Sequence, residues 1–311
     1  MQPEIDHVMI LGAGAIGSYF ATQFYTCPEI NTSLIAKGER AQRLVDAGLV
    51  VNGERYLIPV VDPQASGQEA NLIIVALKHH QLAGALPSLK KLVGERTIIL
   101  SMMNGLDSEE MIAEVYGWDK VMYGLSVGID ALRQGNRINF TKPGKHYFGE
   151  AQNKVFSERV KRVQAAFECT DITYEIPVDM LRVMWWKFMV NVGMNAPSAV
   201  MRAPYGVFQH SADAQSLMEA AMREALELAK LEGINLVDQD IEEWYGFLNS
   251  LSPNGKTSML QDIEADRKTE MEIFGGKVVR LADEHGVDVP VNKTLLRIIH
   301  VLEESAGNPA G

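Results

Sequence analysis

His7-Val8-Met9-Ile10-Leu11-Gly12-Ala13-Gly14-Ala15-Ile16-Gly17 is a short apolar run followed at once by the pattern G-x-G-x-x-G. The first five residues read as a strand. Ile16 to Cys27 reads as a helix with Ile16, Phe20 and Phe24 on one face, stopped by Pro28. Each glycine of such a turn has a physical purpose. Gly12 allows the tight turn, Gly14 lets backbone approach a pyrophosphate, and Gly17 lets helix and strand pack closely. The free N–H groups and positive dipole at the start of the helix then face the phosphates. Gly12, Ala13, Gly14, Ala15, Ile16 and Gly17 are therefore the candidate dinucleotide-binding loop. The competing reading is a structural turn with no ligand.

Working outward, Ser33 to Ala36 reads as a second strand and Arg40 to Ala47 as a helix closed by Gly48. Leu72 to Leu77 (LIIVAL) and Thr97 to Leu100 (TIIL) are continuous apolar runs, as strands buried on both faces require. Strands alternating with helices predict an α/β fold with a Rossmann-type, doubly wound sheet. From Val121 the segments YGLSVGIDA, RINFT and KHYFGE alternate polar and apolar residues, predicting antiparallel strands with one wet face. A helix over 154–168 and a strand over 172–175 complete this part, and Pro177 marks the boundary. Beyond it the pattern is helical. Asp213 to Glu232 carries Leu217, Ala221, Ala225, Leu228 and Leu231 at helical spacing before Gly233. Residues 258–285 read as one long helix, with Gly275-Gly276 permitting a bend or a close approach, and 303–311 as a frayed tail. The expected organisation is a Rossmann-like domain over 1–177 and an all-helical C-terminal domain over 178–311.

Length supports two domains, because 311 residues exceed what one hydrophobic core usually holds. Twenty-nine basic against forty acidic residues leave a net charge of −11, which disfavours a nucleic-acid or anionic-membrane binder. No apolar run is long enough to span a bilayer, and the N-terminal stretch lacks the pattern of an export signal. The two cysteines, Cys27 and Cys169, form no disulfide framework and no metal-ligand spacing. Such cysteine usage suits a reducing, cytoplasmic setting, without a metal.

Several polar residues sit where chemistry is expected. An NAD-binding strand of this type would end in an acid, yet the second strand ends in Ala36-Lys37-Gly38-Glu39-Arg40. A cation suits a 2′-phosphate, so Lys37 favours NADP(H), with Glu39 as the counter-argument and a solvated helix start as the alternative. Lys78 follows LIIVAL, and Asn104 follows TIILSMM, both at strand ends that should face the cofactor. His79-His80 reads as helix-start surface rather than a metal pair. The sharpest anomaly is Leu181 to Pro197, where Lys187, Asn191 and Asn195 recur every four residues along an otherwise apolar helix. Burying such groups without partners costs about 1–3 kcal/mol each. A cleft-lining stripe explains them better than a solvent face, which would carry more charge. Thr257 to Asp262 with Arg267 to Glu270 reads, by itself, as a capped and charged helix.

Taken together, GAGAIG, LIAKGER, ALKHHQ, MMNGL, WWKFMVNVGMN and KTSMLQDIEADRKTEMEIFGG make the chain resemble the ketopantoate reductase family over nearly its whole length. The resemblance implies an NADP-dependent oxidoreductase that reduces a 2-keto acid, with ketopantoate (2-dehydropantoate) as the leading substrate, in pantothenate and coenzyme A synthesis. It implies Lys187 as general acid and Glu270 beside Lys187 and the nicotinamide ribose. Asn191, Asn195 and Ser258 would bind substrate, Asn104 would touch substrate and cofactor, and Lys37 and Lys78 would hold the 2′-phosphate region. Two departures stand out. Lys37 replaces a common arginine, losing its bidentate fork. Tyr205 stands where some members place a further substrate-binding asparagine, which bears on the identity of the keto acid. The alternatives are a reductase of the same architecture acting on another 2- or 3-keto acid, and a non-catalytic NADP(H) sensor. A homodimer is the assembly to test.

Overall fold

The computed structural model describes residues 4–65 and 67–307. The chain divides into two compact units, Met1–Met180 and Leu181–Gly311. In the first, the order is β1 (His7–Leu11), α1 (Ala15–Tyr25), β2 (Asn31–Ile35), α2 (Gly38–Ala47), β3 (Leu49–Val51), β4 (Glu54–Tyr56), β5 (Val60–Val61) and β6 (Ala70–Val75). Then come α3 (His79–Ala85), a 3-10 helix (Leu86–Lys91), β7 (Val93–Ser101), α4 (Ser108–Tyr116), β8 (Val121–Val127), β9 (Asp130–Gln134), β10 (Arg137–Lys142), β11 (Lys145–Gly149), α5 (Glu158–Glu168) and β12 (Tyr174–Glu175).

The main sheet runs β12-β11-β8-β7-β6-β1-β2-β5, parallel from β8 to β5. Its buried strands place alternate residues on opposite faces, as a pleated strand must. Val8, Ile10, Leu72, Ile74, Ile98 and Leu100 pack with Phe20, Phe24, Val163 and Phe167, so α1 and α5 cover one face. Met9, Leu11, Ile73, Val75 and Ile99 pack with Leu82, Leu89 and Ile112, so α3, the 3-10 helix and α4 cover the other. This is a doubly wound sheet, and the apolar runs read as buried strands are its centre.

The antiparallel strands expected after Val121 are divided between two sheets. β8 and β11 pair antiparallel in the main sheet, while β9 and β10 join β3 and β4 in a four-stranded sheet, order β4-β3-β10-β9. Asn52-Gly53, with φ of 50° and 86°, turns β3 into β4. That hairpin is too short to show a period in the sequence.

The cysteines require a correction. Cys27 and Cys169, read from their spacing as outside any disulfide, are bonded to each other, with Cα atoms 6.0 Å apart. The fold makes the pair. Helices α1 and α5 lie on the same sheet face, Phe24 meets Phe167 edge-on at 5.5 Å, and each cysteine follows its phenylalanine by a few residues. Paired in this way, the two cysteines do not favour a reducing compartment.

The second unit is helical: α6 (Met180–Met201), α7 (Tyr205–His210), α8 (Ala212–Leu231), α9 (Asp238–Ser250), α10 (Ser258–Glu264), a 3-10 helix (Met271–Ile273), α11 (Gly275–His285) and α12 (Pro290–Gly307). Helix α8 buries Met218, Ala221, Met222, Ala225 and Leu228, whereas Leu231 is exposed. A Cβ on Gly193 would stand 2.3 Å from Met222 Cγ, so α6 and α8 meet closely there. The single long helix expected over 258–285 is not formed. Its middle, 265–270, is non-helical: Asp266 takes a φ of 49°, the Arg267 N–H returns to the Asp262 carbonyl at 2.9 Å, and Thr269 is held by Glu303. Of the tail, α12 extends to Gly307, while 308–311 lie outside the described residues, as do 1–3 of the stretch read for an export signal.

Candidate active site

In the first unit, β1 has β2 on one side and β6 on the other, so the sheet grows in opposite directions from it. Ligands of open α/β sheets bind at such a switch point, beyond the carboxyl ends of the strands. Gly12 leaves β1 there with φ of 110°, and a Cβ on it would stand 2.3 Å from the Ala76 carbonyl oxygen. On Gly17 a Cβ would stand 1.7 Å from the Gly12 carbonyl oxygen. Only glycine fits either position. Gly14 is the N-cap of α1, followed by Ala15 and Ile16, and the first turn carries no acid. Ala13 is buried beside it.

The other expected cofactor residues leave the same edge of the sheet. Lys37 precedes α2 after β2, Lys78 precedes α3 after β6, and Asn104 follows β7; these strands and β1 are consecutive parallel neighbours. Lys37 is exposed, and Lys78 and Asn104 are half-buried. His79 and His80 open α3. A glycine cradle, an acid-free helix start and two flanking ammonium groups are the donor set that a phosphorylated dinucleotide needs.

In the second unit, Lys187, Asn191 and Asn195 lie one turn apart on α6. Lys187 and Asn191 are half-buried and Asn195 is 6% exposed, so the stripe is no ordinary solvent face. Its neighbours Phe188 and Met189 are fully buried and carry the packing. Ser258 is exposed at the first position of α10. Thr257 caps that helix, accepting from the Leu260 N–H at 3.2 Å, and donates to Ser198 Oγ at 3.2 Å. Ser198 in turn donates to the Ala203 carbonyl at 2.7 Å. Because Ser198 sits one turn after Asn195, this buried link pins the start of α10 to the stripe-bearing helix. Tyr205 packs on the same loop: its N–H donates to the Gly255 carbonyl at 2.9 Å, and a Cβ on Gly255 would strike its ring. Glu270 is buried and precedes the 3-10 helix, whose following Phe274 meets Phe188 at 6.4 Å. The break in the expected long helix leaves Glu270 buried at the entry to that 3-10 helix, whose Phe274 packs on α6 at Phe188, the residue after Lys187.

Sequence reasoning passed over Glu109, because an acid in the first turn of a helix ordinarily serves the helix dipole at the surface. Here it is fully buried, and burial pushes its carboxyl up to about 7.

Comparison with known proteins bears on this arrangement. Residues 8–153 match the family model described as ketopantoate reductase PanE/ApbA, and residues 179–303 match its C-terminal counterpart. The chain belongs to this family. It is accordingly an NADP-dependent oxidoreductase of the ketopantoate reductase type. The 2-dehydropantoate 2-reductase of Halobacterium salinarum is 26% identical over 302 residues, covering 95% of this chain and 98% of that protein. Among solved structures, a dimeric ketopantoate reductase from Staphylococcus aureus has a TM-score of 0.82 at 22% identity, covering 97% of this chain and all of that one. D-mandelate dehydrogenase with NADH and anilino(oxo)acetate has a TM-score of 0.87 at 22% identity, covering 97% and 100%. Identity at that level establishes a shared fold.

One expected result concerns the cofactor loop of this family member. Gly12→Ala should weaken NADPH binding at least about tenfold, since its methyl group meets backbone at a φ that alanine rarely adopts. Quenching of tryptophan fluorescence on NADPH titration, beside far-UV circular dichroism, measures this.

Proposed function

We propose that this family member reduces 2-dehydropantoate to pantoate with NADPH. The observation that carries the reading is the half-buried stripe of Lys187, Asn191 and Asn195 on α6, with the Ser258 helix pinned beside it through Thr257 and Ser198. Bound NADPH supplies a hydride from C4 of its nicotinamide to the 2-keto carbon. Charge then develops on the carbonyl oxygen. The Lys187 ammonium donates a hydrogen bond to that oxygen and gives up its proton as the alkoxide forms. Asn191 and Asn195 hydrogen-bond the substrate and fix the carbonyl toward Lys187, while Ser258 binds the carboxylate end. Asn104 would contact substrate and cofactor, and Glu270 would serve Lys187 and the nicotinamide ribose. Gly12 to Gly17 would cradle the pyrophosphate, with Lys37 and Lys78 available to the 2′-phosphate.

The preference for NADPH rests on Lys37 at the end of β2, where an NAD site of this kind carries an acid. A second reading is reduction of a bulkier 2-keto acid. It draws on Tyr205, a large ring where some members place asparagine, and on the likeness in fold to D-mandelate dehydrogenase. The assembly we propose is a cytoplasmic homodimer, drawing on the cell's NADPH pool.

Oxidation of NADPH and NADH at 340 nm, with ketopantoate and a panel of aliphatic, aromatic and 3-keto acids, tests the assignment. The highest kcat/KM should belong to ketopantoate with NADPH. A dominant rate with an aromatic 2-keto acid would move the substrate to the second reading, and tight NADPH binding without turnover would replace the enzyme by a sensor.

A further inference from the structure

The loop 102–107, which carries Asn104, leaves β7 at Ser101 and enters α4 at Ser108. The two hydroxyls lie 2.8 Å apart, and the Ser108 hydroxyl donates to Glu109 Oε2 at 2.9 Å. Ser101 Oγ also accepts from the Met103 N–H at 3.4 Å. Each hydroxyl has one proton, and that of Ser108 is committed to Glu109. The Ser101 proton can then point to Ser108 or to Glu109, which it also hydrogen-bonds, so the chain runs from Met103 through the two serines and ends at Glu109. Ser101, Ser108 and Glu109 are all buried, the last only 2% exposed. Strand β8 presses on the base of the loop, where a Cβ on Gly124 would stand 2.4 Å from the Ser101 carbonyl oxygen.

We infer that Glu109 is a positioning residue for the reduction, whose carboxylate ends a hydrogen-bond chain that ties together the two ends of the Asn104 loop. The inference rests on the role proposed for Asn104. A carboxylate only accepts, so it terminates the chain in one direction. A protonated carboxyl carries a donor that needs an acceptor of its own, and the order is lost.

The protonation that would break the order falls within the working range of an enzyme. Burial raises the Glu109 carboxyl to about 7, against hydrogen bonds from its own backbone N–H, Ser108, Ser101 and the Gly124 backbone. The elements packed on α4 are β8, α3 and the 3-10 helix 86–91. Their titratable groups are Tyr123, His79, His80, Lys90 and Lys91, with Glu110, Glu114 and Tyr116 on α4 itself. None of these contributes to the Glu109 shift, although the Glu109 carboxylate helps to raise Tyr123. Because the folded-state value is raised, the ionised form is the disfavoured one. The stability contribution of the neutral form is complete below the ordinary carboxyl value of 4.5 and is lost as pH rises toward about 7. Ionisation thus holds the loop at the expense of the fold.

The experiment compares the whole protein with Glu109→Gln and Glu109→Asp from about pH 5.5 to 8.5. It reads kcat/KM for the best keto acid with NADPH, and hydrogen–deuterium exchange over 102–107 corrected for the intrinsic rate. In the wild type, kcat/KM should fall about tenfold between pH 8 and pH 6, while exchange of the loop rises with the same midpoint. Glu109→Gln should be flat in both, at the low-pH level, and Glu109→Asp should restore the limb with a displaced midpoint. The melting-temperature difference between wild type and Glu109→Gln should drift in favour of the variant as pH rises. Superimposable pH profiles in wild type and Glu109→Gln would overturn the inference, as would a change in exchange without any change in the profile. Failure of the underlying reading looks different: the exchange midpoint is present and lost in Glu109→Gln, but Asn104→Ala leaves kcat/KM unchanged.

Discussion

Replacing Lys187 by alanine is expected to lower kcat at least about a hundredfold while leaving NADPH affinity within about twofold of wild type. A positioned general acid contributes typically about 10²–10⁴ in rate, roughly 3–5 kcal/mol of barrier. The ammonium group of Lys187 would also stabilise the charge growing on the carbonyl oxygen, so both contributions leave with it. The helix should tolerate the change. Packing on α6 is carried by Phe188, Met189 and Val192, all buried, while Lys187 is half-buried at the stripe. The melting temperature should therefore hardly move. Lys187→Arg is the sharper control, because it keeps the charge and cannot readily give up a proton. Its rate should stay close to that of the alanine variant if proton delivery dominates, and should recover if charge alone is needed. Steady-state rates with fluorescence titration of NADPH separate these outcomes, and a near-normal kcat in Lys187→Ala would remove that residue from the mechanism.

What could be read in the sequence follows from which interactions are local. Strands β1, β6 and β7 are buried on both faces, so they appear as unbroken apolar runs, and the glycine loop is fixed by contacts with Ala76 and its own helix. The stripe on α6 was visible because a lysine and two asparagines at one-turn spacing conflict with their apolar surroundings. Other features were invisible because their causes are distant in the chain. Nothing in 265–270 is a strong helix breaker; the break comes from Asp262 capturing the Arg267 N–H and from Glu303, more than thirty residues on, accepting from Thr269. Strands β3 and β4 have no period to read over three residues, and their sheet is completed by β9 and β10 much later in the chain. Glu109 looks like any acid at a helix start until Ser101 and β8 enclose it.

The disulfide leads to the other large expected effect. It joins the ends of α1 and α5 across 142 residues, so it restricts most of the first unit in the unfolded chain. Loop-closure entropy for a span of that size is worth about 5 kcal/mol, and measured disulfide contributions are typically about 2–4 kcal/mol. Reduction should therefore lower unfolding stability by at least about 2 kcal/mol, without loss of the native fold, because Phe20, Phe24 and Phe167 still hold α1 and α5 on the sheet. Cys169 is exposed, so a small thiol reagent has access to the bond in the folded protein. Urea unfolding of oxidised protein, reduced protein and the Cys27→Ser/Cys169→Ser variant measures the effect. The reduced form and the double variant should share a midpoint below that of the oxidised form. Equal midpoints in all three would show that the bond does not restrict the unfolded chain, and two free thiols titrated in denatured, unreduced protein would show that the bond had not formed.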